Sequence, residues 1–154
     1  MNNNFDCTQM IAISKYSVSK NLVDDFFKFN ELGFSIILDE DINETKKDYF
    51  LKRDDEYFIE LYNKEFCGEF EDWFFLEEPP KLIVDFVDVI RFFIKKNNIN
   101  HMRLMISFFA EKGVSTNFYS TVNYNDIFSG LFLMSKNNFD VWTDNLILEL
   151  DFGG

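Results

Sequence analysis

Apolar residues recur along this chain with two different spacings, and the points where the spacing changes mark its elements. Between residues 20 and 32, Leu22, Phe26 and Phe29 fall on one side of a 3.6-residue repeat, Val23 and Phe27 widen the stripe, and Asp24, Asp25, Lys28 and Glu31 lie opposite. That pattern predicts an amphipathic helix. Ser17 or Ser19 is placed to cap it, because a serine oxygen accepts from an otherwise unpaired first-turn N–H, and Gly33 suits the left-handed residue that ends it. The longest stripe runs through residues 81–96, where Leu82, Phe86, Val89 and Phe93 make one row and Ile83, Val87, Ile90 and Ile94 the next, with Val84 and Phe92 outside both. A helix apolar over so much of its circumference belongs at the centre of a fold, with Phe86, Val89, Ile90 and Phe93 as its expected core. Pro79-Pro80 forces extended geometry before it and presets its first turn, and Asn97-Asn98 stops it.

Alternation with period two marks the strands. Tyr57, Ile59 and Leu61 share one face of residues 57–62, and Leu146, Leu148, Leu150 and Phe152 alternate with Ile147, Glu149 and Asp151. Shorter apolar runs predict strands over residues 5–14, 34–38, 101–109 and 117–122, with a turn at Glu111-Lys112-Gly113. Residues 49–53 and 57–62 read as a hairpin around Asp54-Asp55-Glu56, residues 69–76 as a further strand, and the C-terminal stretch as a two-stranded ribbon turning at Asp144-Asn145. Asn123 stands three residues before Asp126, as in a capping box, opening a short helix through Met134 that Asn137-Asn138 ends. The order predicts one α+β domain over residues 1–152, with a mixed or antiparallel sheet and about three helices. Gly153-Gly154 is then a flexible tail or an expression remnant.

Composition narrows the class. The chain is 47% hydrophobic with 21 Phe in 154 residues, which is enough to bury one core and excludes a disordered acidic tail. No apolar run approaches the ~20 residues that span a bilayer. The N-terminus lacks a basic start followed by an apolar region, so the expected location is cytoplasmic and no membrane association is expected. In such a reducing compartment Cys7 and Cys67 are expected as separate buried thiols rather than a disulfide.

Charge changes the picture more. Residues 39–88 carry 17 Asp/Glu against 6 Lys/Arg, a net of −11 out of the chain's −12. With a pI near 4.4 the chain repels nucleic acid and anionic membranes, which leaves a basic protein as the expected partner. Chemistry is sparse by contrast. His101 is the only histidine, so no two-His metal site can form, and it reads as structural. No Gly-rich phosphate loop and no Gly-x-Ser-x-Gly nucleophile turn is present, so no catalytic residue, cofactor or metal is expected. The run from Asp39 to Glu44 resembles a calcium loop but lacks Gly at its sixth position and Glu at its twelfth. Asp85 and Asp88 share a polar helix side, where Asp88 is spaced to pair with Arg91.

One segment joins charge to anchoring groups: residues 65–78 hold six acids and no Lys or Arg. Read as a strand, it sets Glu69, Glu71, Trp73 and Phe75 on one face, the composition of a recognition surface in which aromatics anchor and charges steer. The opposing reading packs Trp73 and Phe75 under a helix with the acids as a solvated rim. The candidate partner contacts are Asp39, Glu40, Asp41, Asp54, Asp55, Glu56, Glu69, Glu71, Asp72, Trp73, Phe75, Glu77 and Glu78.

In its size, its Phe-rich α+β pattern and its acidic blocks at Asp39-Glu40-Asp41, Asp54-Asp55-Glu56 and residues 65–78, the chain resembles the immunity proteins of bacterial contact-dependent inhibition and other polymorphic toxin systems. The resemblance implies a protein that binds and neutralises the toxic domain of a cognate effector, often a basic nuclease, by covering its active site or substrate surface. The alternatives are an acidic adaptor or nucleic-acid mimic, a structural or oligomeric subunit, and a small carboxylate-dependent enzyme. The last requires two convergent acids in an enclosed pocket.

Overall fold

The computed structural model describes residues 8–107, 117–140 and 145–153. They form one α+β domain around a six-stranded mixed sheet. The strands are β1 (Thr8–Ser14), β2 (Ser35–Leu38), β3 (Glu56–Tyr62), β4 (Met102–Ser107), β5 (Asn117–Asn123) and β6 (Asn145–Asp151), in the spatial order β2-β3-β1-β4-β6-β5. All neighbours are antiparallel except β5 and β6, which run parallel. Parallel neighbours need a crossover, and α5 (Ile127–Asp140) supplies it. Gly130 lets α5 lie close to the sheet: a Cβ there would stand 2.8 Å from a Leu148 methyl and 3.0 Å from Val122.

Four further helices complete the domain: α1 (Lys20–Phe26), α2 (Glu44–Tyr49), α3 (Phe66–Asp72) and α4 (Lys81–Asn97). The Ser19 hydroxyl caps α1 by accepting from the Leu22 N–H at 3.1 Å, and Gly33, at φ 87°, closes the 3-10 turns that continue it. Helix α4 sits at the centre of the main core, with Phe86, Ile90 and Phe93 buried and Val89 only half-buried. Phe86 and Phe93 each meet the Phe29 ring, with centroids 5.5 and 5.6 Å apart. Tilted ring contacts of this kind add to the burial of their area.

At the centre of the sheet both faces are covered. Ile11 and Ile13 of β1 face the core formed with α1, α3, α4 and α5, while Met10 and Ala12 face a smaller one with Phe50, Phe58, Met105 and Ile147. Residues 49–53, expected as a strand, are the end of α2 and a turn through Leu51 at φ 57°. Asn43 starts this helix, its Oδ1 accepting from the Lys46 N–H at 2.8 Å. Residues 69–76, also expected as a strand, form α3 and a 3-10 turn at Trp73–Phe75. The apolar positions there follow the helical repeat, since Phe66, Cys67, Phe70 and Trp73 are the buried ones. The C-terminal ribbon is corrected as well: α5 extends to Asp140, past the expected stop at Asn137-Asn138, and β6 pairs between β4 and β5. Among the described residues the α-helices therefore number five rather than about three. The expected turns at Glu111-Lys112-Gly113 and Asp144, the outer ends of the strands at 5–7 and 108–109, and Gly154 lie outside the described residues.

Truncating Phe93 to Ala is expected to cost about 3–5 kcal/mol, the usual penalty for a buried aromatic. Denaturant unfolding reads this directly, and a loss under about 1 kcal/mol would put α4 outside the core.

Candidate functional site

The acidic half of the sequence divides in space into two patches at opposite ends of the sheet. Helix α3 begins beside the first residues of β1, where the Gln9 Nε2 lies 3.4 Å from the Cys67 Sγ. The Asp39–Asp41 turn and Asp54-Asp55 lie at the other end, where the Lys15 N–H donates to the Asp55 carbonyl at 2.8 Å. The seven residues of β1 separate the patches by roughly 20 Å.

At the β1 C-terminal end the charge is largely committed internally. Asp39 accepts from the Phe58 N–H at 2.8 Å and pairs with Lys47 at 2.9 Å and Lys52 at 3.5 Å. Burial pushes its pKa up, but these donors outweigh burial and hold it below the ordinary value. The Lys47 ammonium is correspondingly raised by its hydrogen bond to Asp39. Glu40 accepts from the Tyr57 hydroxyl at 2.8 Å, which together with burial raises the phenol. Asp41, Asp54 and Asp55 remain exposed.

Glu56, a candidate contact, is removed from that surface because its side chain is wholly buried. Its Oε1 takes Arg103 Nη2 at 2.5 Å and the Arg53 N–H at 3.0 Å, while its Oε2 takes Arg103 Nε at 2.8 Å and meets His101 Nε2 at 2.7 Å. Arg103 closes the turn by donating to the Leu51 carbonyl at 3.2 Å. Burial alone would raise the Glu56 pKa, yet His101, Arg103 and the Arg53 N–H bring it down to about 2. His101 thus has a structural partner, one that the sequence reading did not identify.

The other patch is open. Glu71, Asp72, Glu77 and Glu78 are exposed, Glu65 lies at the start of the segment, and Glu69 is half-buried. Asp72, Glu77 and Glu78 form no ion pair among the described residues. Trp73 is 4% exposed and packs edge-on against Phe132 at 5.3 Å, so it leaves the list of contacts. Phe75 and Leu76 take its place at the surface, 68% and 48% exposed. The 3-10 turn after α3 separates them, turning Trp73 inward and Phe75 outward. Leu76 was missed because period two assigned it to the opposite face. The exposed acids also sit badly for stability: Glu71 and Asp72 end α3, where the helix dipole disfavours negative charge, and no basic residue stands in its last turn.

Two other expectations change. Asp25, placed on the solvent side of α1, is buried and bonded to Lys96 at 2.9 Å and Asn97 at 3.4 Å, and the Lys96 bond lowers its pKa. Asp85 pairs with Lys81 at 2.8 Å, while Arg91 lies over Phe128 instead of pairing with Asp88. Cys67 is disulfide-bonded, contrary to the expectation of a free thiol, and Cys7, the chain's other cysteine, lies outside the described residues. Among the described residues no group of three His, Cys, Asp or Glu could hold a metal, and no helix is long and apolar enough to cross a membrane. No protein-family model, curated protein or solved structure matches the chain.

The Glu56 cluster carries a pH prediction. Its folded pKa lies below the ordinary 4.5, so its stabilisation is full above 4.5 and is lost as pH falls from there toward about 2. Glu56→Gln is expected to cost about 3–5 kcal/mol at neutral pH, because Arg103 stays buried without its counter-charge, and to flatten the acid decline in stability. Unfolding curves between pH 7 and pH 2 measure both effects. An unchanged acid slope would show that Glu56 is not the group responsible.

Proposed function

We propose that the chain is an immunity protein, which binds and neutralises a cognate basic toxin domain, with the open patch at α3 and the turn after it as its docking surface. The observation that carries the reading is the exposed Phe75-Leu76 pair set among Glu71, Asp72, Glu77 and Glu78. Apolar anchors ringed by like charges supply what a basic partner requires: groups that desolvate on contact, and a field that steers approach. A nuclease must present cations to phosphate, so such a patch competes for the same groove. The Asp39 turn is a weaker candidate, because its carboxylates already serve Lys47, Lys52 and the Phe58 N–H.

The direct test is co-expression with the product of the neighbouring gene. The expected result is a stable complex in which that product loses its toxicity. Neighbouring products that neither bind nor are neutralised would overturn the reading. In the complex, reversing Glu71, Asp72, Glu77 and Glu78 to Lys is expected to slow association about tenfold or more at low salt. Phe75→Ala is expected to shorten complex lifetime by a factor corresponding to ~2 kcal/mol. Reversing Asp41, Asp54 and Asp55 is the control, and an equal effect there would contradict the assignment of the patch.

We place the site of action in the cytoplasm, and fractionation of cells that express the chain tests this: recovery with cytoplasmic markers is the expected result, and recovery with periplasmic or secreted markers would overturn it.

A further inference from the structure

A cleft of about 620 Å³ lies at the Asp55 end of the sheet, where the end of α4, the connection into β4, the turn before α5 and Phe152 after β6 converge. Its lining departs from the rest of this acidic chain. Among the described residues Arg91 and Lys95 are its only charged ones, Asn98, Asn100 and Asn125 bring three amides, and Ile94, Ile99, Tyr124 and Phe152 supply the apolar wall. The volume suits a small molecule. The Tyr124 and Phe152 rings, both in the wall of the cleft, are stacked, 5.1 Å apart and 15° from parallel.

The polar groups are positioned but not consumed. Arg91 is held by the Phe128 ring at 5.2 Å and one long bond to the Asn125 carbonyl at 3.5 Å, which leaves most of its five N–H donors for another acceptor. Lys95 and the side-chain amides of Asn98, Asn100 and Asn125 have no side-chain partner among the described residues. The end of a helix ordinarily repels an anion through its last carbonyls. Here the left-handed turn at Asn98, with φ 52°, directs the Asn98 and Ile99 N–H groups onto the Ile94 carbonyl and satisfies it. The nearest acids along the chain do not line the cleft: Asp126 is exposed beside Asn125, and Asp151 accepts from the Gly153 N–H at 3.0 Å.

From this combination we infer that the cleft binds a small organic anion with a planar aromatic part, its carboxylate or phosphate on Arg91 and Lys95 and its ring against Tyr124 and Phe152. The site is separate from the proposed docking patch, which lies at the other end of the sheet, and does not depend on that reading.

Phenyl phosphate, inorganic phosphate and benzylamine, titrated into ¹⁵N-labelled full chain at constant ionic strength, test the inference. Phenyl phosphate is expected to shift the amides of residues 98–100 and 124–126 saturably, with inorganic phosphate weaker and benzylamine without effect there. The double variant R91Q/K95Q, exposed and outside the core, is expected to weaken phenyl phosphate about tenfold or more, the loss of charge-assisted hydrogen bonds, while K20Q/K64Q leaves it unchanged. F152A is expected to remove the preference for phenyl phosphate over phosphate. Non-saturating shifts, equal binding of inorganic phosphate or benzylamine, or undiminished binding by R91Q/K95Q would each overturn the proposal.

Discussion

The fold rests on burying β1 from both sides. Met10, Ile11, Ala12 and Ile13 are each fully buried, alternately into the helical layer and into the smaller core under α2. A strand with two dry faces offers no solvent side for charge, so the acids lie at strand ends, on outer helix faces or, as Glu60 and Glu149 do within β3 and β6, beside a cation. The most deeply buried ion pair obeys the same constraint. Glu56 and Arg103 stand on the strands flanking β1, opposite Ser14 and Ala12, and these two small residues leave room for the ion pair to bridge across. Because that pair is dry, it must be complete. His101 and the Arg53 N–H occupy the remaining acceptor sites of the carboxylate.

Elements with long, clean periodicity were legible in the sequence, and those whose character depends on neighbours were not. Helix α4, the Ser19 cap, Gly33 and the alternation in β6 each follow from local chemistry. The segment from Phe66 to Phe75 misled because acids lie between its aromatics, so that period two and period 3.6 both find partial matches over so short a window. The decisive signal was Phe66, Phe70 and Trp73, spaced four and three apart. Asn43 was passed over as a helix start although it precedes Glu44 and the basic pair Lys46-Lys47, a charge order that suits the helix dipole. The partner of Glu56 had a signal too: Arg103, one of three arginines in the chain, stands inside an otherwise apolar strand. A charge in such a position requires a counter-charge, but only the register across β1 says which.

The distinction that matters for function is therefore between acids that serve the fold and acids that do not. Asp25, Asp39 and Glu56 each have a cationic partner within the chain and lowered pKa values to match. Asp72, Glu77 and Glu78 sit beside exposed apolar side chains, and Asp72 ends α3, where the helix dipole gains nothing from its charge. Net charge read along the sequence cannot separate these groups, since all fall within one acidic stretch or close to it. Burial and pairing separate them, and they shift the candidate surface from the whole acidic half to a single patch.

Amide hydrogen exchange of the chain, alone and with the product of the neighbouring gene, tests that assignment most directly. The account predicts protection concentrated in residues 69–78, with residues 39–56 unchanged. Protection centred on residues 39–56, with residues 69–78 exchanging as in the free chain, would contradict it.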